Sequence, residues 1–417
     1  MIQLYYIYSK EEEELMRYKG TDLHGHTRIS DGKKATPESY MFRAVCAGVT
    51  TFSYTEHNSL GSYRKLDALI GKHVERLEKY GDYRSKRFLE LFSKLNILTG
   101  AEFLVSHNGS LCEILAYGFD REKMREEYLK IAERLPNSRK TLSSGIEQVI
   151  KQLGLGDLSS YDRESSGLSQ SFFNALKKEY SEKVADFSNL SDFIYEGFYN
   201  PYSEFYLEKF HTTKPPIQDM IDAIHKAGGK AILAHPGKYR SYFDITTEGL
   251  EKLISMGMDG LEVFHPKNNR EVNGQNLQDF LLNFIRTHNQ NREPGDKELV
   301  ASGGSDDHQK SEPGQYHLGE YNLPDILETQ WVRECLLNGG NFVAEMVEKY
   351  QLTTRLEELH AEKSTKQKMV KQLKFLDKDR NTIGPRFKED ESGKTILRKN
   401  SNGEKTPILD AERFERE

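Results

Sequence analysis

Five short stretches of this sequence carry eight residues whose side chains matter chemically only if they meet. DLHGHTRISDG offers His24, His26 and Asp31, TEHN offers His57, GAEF offers Glu102, LAHPGKY offers His235, and SGGSDDH offers Asp306 and His308. Neutral imidazoles together with carboxylates bind Zn, Mn or Fe. Carboxylates can also bridge, so two or three closely spaced ions become feasible. Taken singly the signals are weak. A lone His-x-His is more often without function, His235 before Pro236 suits an ordinary loop, and Asp306-x-His308 suits a turn or a helix cap. Their recurrence directly after successive apolar runs is what points to a metal site. His73, His211, His225, His288 and His360 lack that placement and read as surface residues in helices or loops.

Such residues can converge only if the elements before them end on one face. TDLH reads as a strand, and Thr36-Pro37-Glu38 supplies an N-cap, a first-turn proline and an acid for a helix reaching about Ala47. GVTTFSYTEHN is strand then loop, about 63–95 is helical with a break near Gly81, and NILTGAEFLV is strand again. From IQDMIDAIHKAGG the order repeats: helix, strand KAILAH, helix TEGLEKLISMG, strand DGLEVFH, a helix over about 271–287, then strand ELVASGG. Strands alternating with helices imply a parallel sheet, open or closed into a barrel, whose strand C-termini gather distant residues. Between about 121 and 214 the pattern is helical and aromatic (SFFNAL, FIYEGFYNPYSEFYLEKF) with a Ser/Gly-rich break, and reads as an insertion. Aromatics at helical spacing read first as core; some could stack on a base at the barrel mouth.

The composition narrows the class. The chain has 417 residues, is 30% charged, and carries a formal charge of −6, which disfavours coating nucleic acid by electrostatics alone. Its three cysteines, Cys46, Cys112 and Cys335, form no CxxC pair, so any metal must rely on histidine and carboxylate. No run of about 18 apolar residues occurs and no signal peptide is evident, so the expectation is a soluble, cytoplasmic protein without membrane contact. We divide it into a lead-in at 1–20, a first domain part at 21–120, the helical insertion at 121–214, a second part at 215–340, and a charged tail at 341–417. The tail, with KSTKQKMVKQLK inside it, reads as a helix fraying into disorder, or as a nucleic-acid or protein contact through its lysines.

In order along the chain, TDLHGHTRISDG, TEHN, GAEF, LAHPGKY, GLEVFHP and SGGSDDH resemble the motifs of the PHP (polymerase and histidinol phosphatase) superfamily. Within it, IHKAGGKAILAHPGKY, GLEVFHP and the insertion are most similar to TrpH-type nucleotide phosphatases and exoribonucleases. The resemblance covers about residues 20 to 330. It implies an α/β fold, a distorted (β/α)7 barrel of PHP type, with two or three divalent ions (Mn, Fe, Zn or Mg) at its strand C-termini. It also implies hydrolysis of a phosphate ester, with His24, His26, Asp31, His57, Glu102, His235, Asp306 and His308 as ligands.

One position departs from that pattern. EILAYG stands where TrpH-like members carry a histidine, which puts Glu113 at the expected ligand position. Asn108-Gly109 between two apolar runs signals a two-residue hairpin, since both turn positions need positive φ. That register pairs Leu104 with Glu113 and His107 with Ser110. Glu102 and Glu113 then lie on one face as diagonal neighbours, about 7 to 8 Å apart between backbones. His107 falls on the other face. A cation between two such carboxylates would relieve their repulsion, and Glu113 instead of histidine would harden the site toward Mn or Mg. Glu113 could also serve as an acceptor for a ligand histidine.

The resemblance further implies attack on phosphorus by a metal-activated water. Arg28 and Lys238 are candidates for charge-assisted phosphate contacts, and His265 in VFHP for a general acid or phosphate contact. The expected substrate is a nucleotide or a short single-stranded nucleic acid. A small-metabolite phosphatase of the histidinol-phosphate type, or a module recruited through the tail, are the other readings.

Overall fold

A computed structural model describes residues 20–32, 35–156, 158–239, 243–272, 274–293, 295–309, 318, 330–356, 397–399 and 405–407. Residues 1–19 of the lead-in, the lysine-bearing stretch 363–374 and His360 lie outside these residues. The chain divides into two compact units: residues 1–98 with 304–322 and 341–417, and residues 99–303 with 323–340. Both are mixtures of helix and strand.

The first unit holds a three-stranded parallel sheet, β1 (Thr21–Asp22), β2 (Thr51–Ser53) and β3 (Asn96–Leu98), in that order. Helices Pro37–Cys46, Gly61–Tyr80 and Tyr83–Phe92 connect them. The Ser39 N–H donates to the Thr36 hydroxyl at 3.1 Å, the expected cap ahead of Pro37. Gly81 at φ 59° ends the long helix where a break was expected, because the left-handed conformation costs glycine little. Tyr40, Phe52, Tyr54, Tyr63, Ile70 and Phe92 form the core. Phe342, Val343, Met346, Leu352 and Leu356 belong to the same core, so the stretch after Gly340 is folded through Leu356.

β1 is shorter than TDLH because the chain leaves the ladder for other partners. Gly25 N–H donates to the Thr55 hydroxyl at 3.0 Å, His26 N–H to the Asp307 carbonyl at 3.2 Å, and Asp306 N–H to the His24 carbonyl at 2.9 Å. A Cβ on Gly304 would stand 2.3 Å from the His24 nitrogen, so only glycine lets these two loops run side by side.

In the second unit five strands lie in the order β8-β7-β6-β5-β4, where β4 is Gly100–His107, β5 Ser110–Tyr117, β6 Lys230–Leu233, β7 Gly260–Phe264 and β8 Val300–Gly303. β4/β5 and β5/β6 are antiparallel, while β6/β7 and β7/β8 are parallel. The sheet is therefore mixed rather than wholly parallel: a two-residue hairpin can join only antiparallel strands. Among the described residues the strands form open sheets, not a closed barrel. The helix expected from about 271 begins later, at Leu277–Gln290. Glu271–Val272 and Gln275–Asn276 instead pair as a short antiparallel ribbon, and the Asn276 side chain caps the helix by accepting from the Asp279 N–H at 3.2 Å.

Between β5 and β6 come helices Arg121–Ala132, Ser138–Gln152 and Leu168–Glu179, then a π-helical turn over Phe193–Phe198. Phe172, Phe173, Phe193, Phe198 and Phe205 bury one another there, together with Leu111 of β5. Most of the insertion's aromatics are thus core.

Candidate metal sites

Each unit carries its own ligand set. In the first, the set stands on loops that leave β1 and β2 and on the loop that opens at Gly304. His24 and His26 are fully buried, while the Asp31 side chain is 47% exposed. Asp306 Oδ1 lies 3.1 Å from His26 Nε2, 3.5 Å from His24 Nε2 and 3.2 Å from His308 Nδ1. Asp31 Oδ2 lies 3.0 Å from His308 Nε2 and 3.5 Å from His57 Nε2. Donor atoms of His26, Asp31, His57 and His308 all fall within 4.8 Å of one another, and so do those of His24, His26 and Asp306.

These spacings bear on whether an ion fits. Metal–ligand bonds of about 2.1 Å give donor-to-donor edges of about 3.0 Å in an octahedron and about 3.4 Å in a tetrahedron. The carboxylate–imidazole separations in this unit span that range. Partial burial opposes ionisation of Asp31, but hydrogen bonds from His308 and His57 outweigh it and hold its pKa well below the usual carboxylate range. Burial opposes protonation of His308, yet the carboxylates of Asp306 and Asp31 outweigh that and raise its pKa.

Asp306 itself has φ 53°, a left-handed conformation that an L-residue adopts at a cost of about 1–3 kcal/mol. The backbone bond to the His24 carbonyl helps hold it there. Glu56, next to His57, was not anticipated as a supporting residue. Its buried carboxylate accepts from the Thr27 N–H at 3.1 Å, from the Ser30 hydroxyl at 2.5 Å and from the Ser62 hydroxyl, so it ties the Asp31 loop to the His57 segment. Its signal was only its place in TEHN.

In the second unit the hairpin has the expected register: Leu104 opposite Glu113 and His107 opposite Ser110, with Asn108 at φ 49° and Gly109 at φ 80°. Strand parity decides what each side chain meets. His235 Nε2 lies 3.0 Å from Glu102 Oε1 and 3.3 Å from Glu113 Oε2, all three being buried. His107 instead stands beside the Phe243 ring at 5.7 Å, and burial lowers its pKa. The carboxylates and His235 again have the edge lengths of a coordination polyhedron. His235 is held in a left-handed conformation, φ 25°, with its N–H donating to Glu262 at 2.6 Å.

The phosphate-contact candidates fare unequally. Lys238 Nζ donates to Glu113 Oε2 at 3.3 Å and sits 4.3 Å from the Tyr195 ring centroid. His265 is buried, its ring 5.3 Å from that of His235, and its Nδ1 accepts from the Lys267 N–H at 3.1 Å. Arg28 is exposed, with its own N–H bonded to the Ala35 carbonyl at 2.9 Å.

Two further residues escaped the sequence reading. Tyr195 donates to Glu113 Oε2 at 2.7 Å, and the Glu113 N–H donates to the Tyr239 hydroxyl at 2.7 Å. Burial, then the charge of Glu113, raises the Tyr195 phenol well above its ordinary pKa, so it remains a donor. Only the aromatic content of FIYEGF marked Tyr195, and that pointed to core. The four described histidines read as surface residues are half-buried; among them, His73 stacks on Phe88 at 4.1 Å, and His225 Nε2 lies 2.8 Å from Asp259.

Comparison with known proteins finds no matching family model. The chain is 28% identical over 249 residues to the 5'-3' exoribonuclease Rnm of Escherichia coli strain K12, covering 56% of this chain and 70% of that protein. It is 22% identical over 326 residues to the 3',5'-nucleoside bisphosphate phosphatase of Chromobacterium violaceum, covering 74% and 94%. A solved structure of an amidohydrolase from Chromobacterium violaceum matches with a TM-score of 0.48 and 20% identity, over 76% of this chain and 96% of that one.

Proposed function

We propose that this chain, which its curated relatives support as a PHP-type phosphoesterase, hydrolyses phosphate esters of nucleotides or short oligonucleotides with divalent metal ions as cofactors. The observation that carries the reading is the pair of imidazole–carboxylate sets, buried in the second unit and partly buried in the first, with contacts of 3.0 to 3.5 Å. His24, His26, Asp31, His57, Asp306 and His308 would hold metal in the first unit, and Glu102, Glu113 and His235 in the second. The distorted barrel that the resemblance implies belongs to the same proposal. So do the metals themselves, Mn, Fe, Zn or Mg, two or three in number.

When bound, such ions acidify a coordinated water and neutralise phosphoryl oxygens. The chain's own residues do the rest. Asp31, held ionised by His308 and His57, keeps a carboxylate available at neutral pH. Lys238 offers an ammonium whose position is fixed by Glu113 and the Tyr195 ring, suited to a charge-assisted contact with a nonbridging oxygen. Arg28, exposed in the loop between His26 and Asp31, offers a guanidinium for a second contact. The Nδ1 of His265 accepts from a backbone N–H, so its Nε2 carries the proton and can donate a hydrogen bond to a phosphoryl or leaving oxygen.

A hydrolysis panel tests the reading. Protein loaded with Mn, Zn, Mg or Fe is offered nucleoside 3',5'-bisphosphate, short RNA, short DNA and histidinol phosphate. Turnover of the bisphosphate or of short RNA is expected. Turnover of histidinol phosphate alone would replace the nucleotide substrate class with a small metabolite, and no turnover of any ester would overturn the proposal.

A further inference from the structure

We infer that Tyr195 is a positioning residue for Glu113, and that through it the helical insertion sets metal affinity in the second unit. This rests on the reading of Glu113 as a metal ligand.

A carboxylate on a strand can rotate about its terminal torsions, and binding a metal requires it to give up that freedom. Here the restraint comes from three directions. The Tyr195 hydroxyl donates to Oε2 at 2.7 Å, Lys238 donates to the same oxygen at 3.3 Å, and the Glu113 backbone N–H is tied to the Tyr239 hydroxyl. Lys238 in turn rests on the Tyr195 ring, so the phenol holds both members of the ion pair.

Tyr195 reaches Glu113 from the π-helical turn Phe193–Phe198, where Tyr199 N–H bonds to the Ile194 carbonyl at 3.1 Å instead of one residue nearer. That extra residue per turn shifts the register of the side chains, and such turns recur at functional sites. Phe193 and Phe198 on the same turn are locked in the insertion's aromatic core, which makes the turn a rigid support. A carboxylate that coordinates metal is commonly held by a second hydrogen bond of this kind. The insertion also holds the hairpin at its tip, where the Tyr206 hydroxyl donates to the Gly109 carbonyl at 2.6 Å, a bond to the turn and not to the Glu113 carboxylate.

That second anchor provides the control. Chelator-stripped full-length protein is titrated with Mn2+ by calorimetry, with equilibrium dialysis and metal analysis giving stoichiometry. Tyr195→Phe keeps the ring and its packing and removes only the hydroxyl. It is expected to weaken Mn2+ binding by about tenfold or more at one class of sites. Tyr206→Phe, which loosens the insertion without touching Glu113, should leave affinity unchanged. In a Glu113→Ala background Tyr195→Phe should add no further loss, because its effect runs through that carboxylate. Wild-type affinity in Tyr195→Phe, the same loss in Tyr206→Phe, or the same penalty in both backgrounds would overturn the inference and leave the metal reading standing. Wild-type protein that takes up no Mn2+ would overturn the metal reading, and this inference with it.

Discussion

The two ligand sets solve one problem by different means. In the first unit the donors stand on loops, those of His24, His26, Asp31 and His57 after strands of two or three residues, and the set is dominated by imidazole: four histidines against Asp31 and Asp306. In the second, two carboxylates stand on the two eight-residue strands of one hairpin and share the imidazole of His235. The loop set depends on many local bonds, through Glu56, Gly304 and the backbone pairing of His24 with Asp306. The hairpin set depends on strand parity, with the insertion reaching in through Tyr195. A loop-borne set should therefore fail when one shared ligand is lost. A hairpin-borne set should fail when a face is changed, and tolerate change on the opposite face.

The largest effect is expected at Asp306, whose Oδ1 serves His24, His26 and His308 together. Asp306→Asn should lower metal content and reduce turnover by at least about a hundredfold. Metal analysis and a phosphate-release assay check both. Next, Glu113→Ala should cost about tenfold to a hundredfold in Mn2+ affinity, while His107→Ala should cost nothing. Loss in the His107 variant alone would reverse the parity argument. A smaller change is expected on restoring imidazole at that position: Glu113→His should move metal preference from Mn or Mg toward Zn, read as the ratio of ions retained from an equimolar mixture.

The smallest effect lies away from both sets. Burial and the charge of Arg76 push the His73 imidazole down to about 4. Its folded pKa is thus below the unfolded value of about 6.5, so the unfolded chain binds the extra proton first. Stability should fall as pH drops from about 6.5 toward about 4, and level off below. His73→Gln should flatten that part of the profile, measured as the difference in denaturant midpoint between variant and wild type.

The comparison also explains what the sequence could reveal. Spacing in DLHGHTRISDG and SGGSDDH marked the loop donors because His-x-His and Asp-x-His carry their chemistry within a few residues. Asn108-Gly109 fixed the register of the hairpin, and from it the face of Glu113, because a two-residue turn leaves no slack. The supports were hidden. Tyr195 meets Glu113 across 82 residues of sequence through a π-helical turn that no apolar periodicity announces. The Asn108-Gly109 turn already implies antiparallel β4 and β5, but the alternation of helix and strand around them concealed that β6 also pairs antiparallel with β5, and the charged residues that follow concealed the core of Phe342, Met346 and Leu352. His73 and His225 were misread for a related reason: helical spacing reveals a face, but not which polar residue that face will bury.

The central claim is that hydrolysis depends on metal held by these sets. It is tested most directly by measuring nucleoside 3',5'-bisphosphate turnover and bound metal on the same samples: wild type as purified, stripped by chelator and reloaded with Mn2+, with Asp306→Asn alongside. Turnover should vanish on stripping, return with Mn2+ in proportion to the ions bound, and stay absent in the variant. Full turnover by stripped protein with no metal bound would contradict the account.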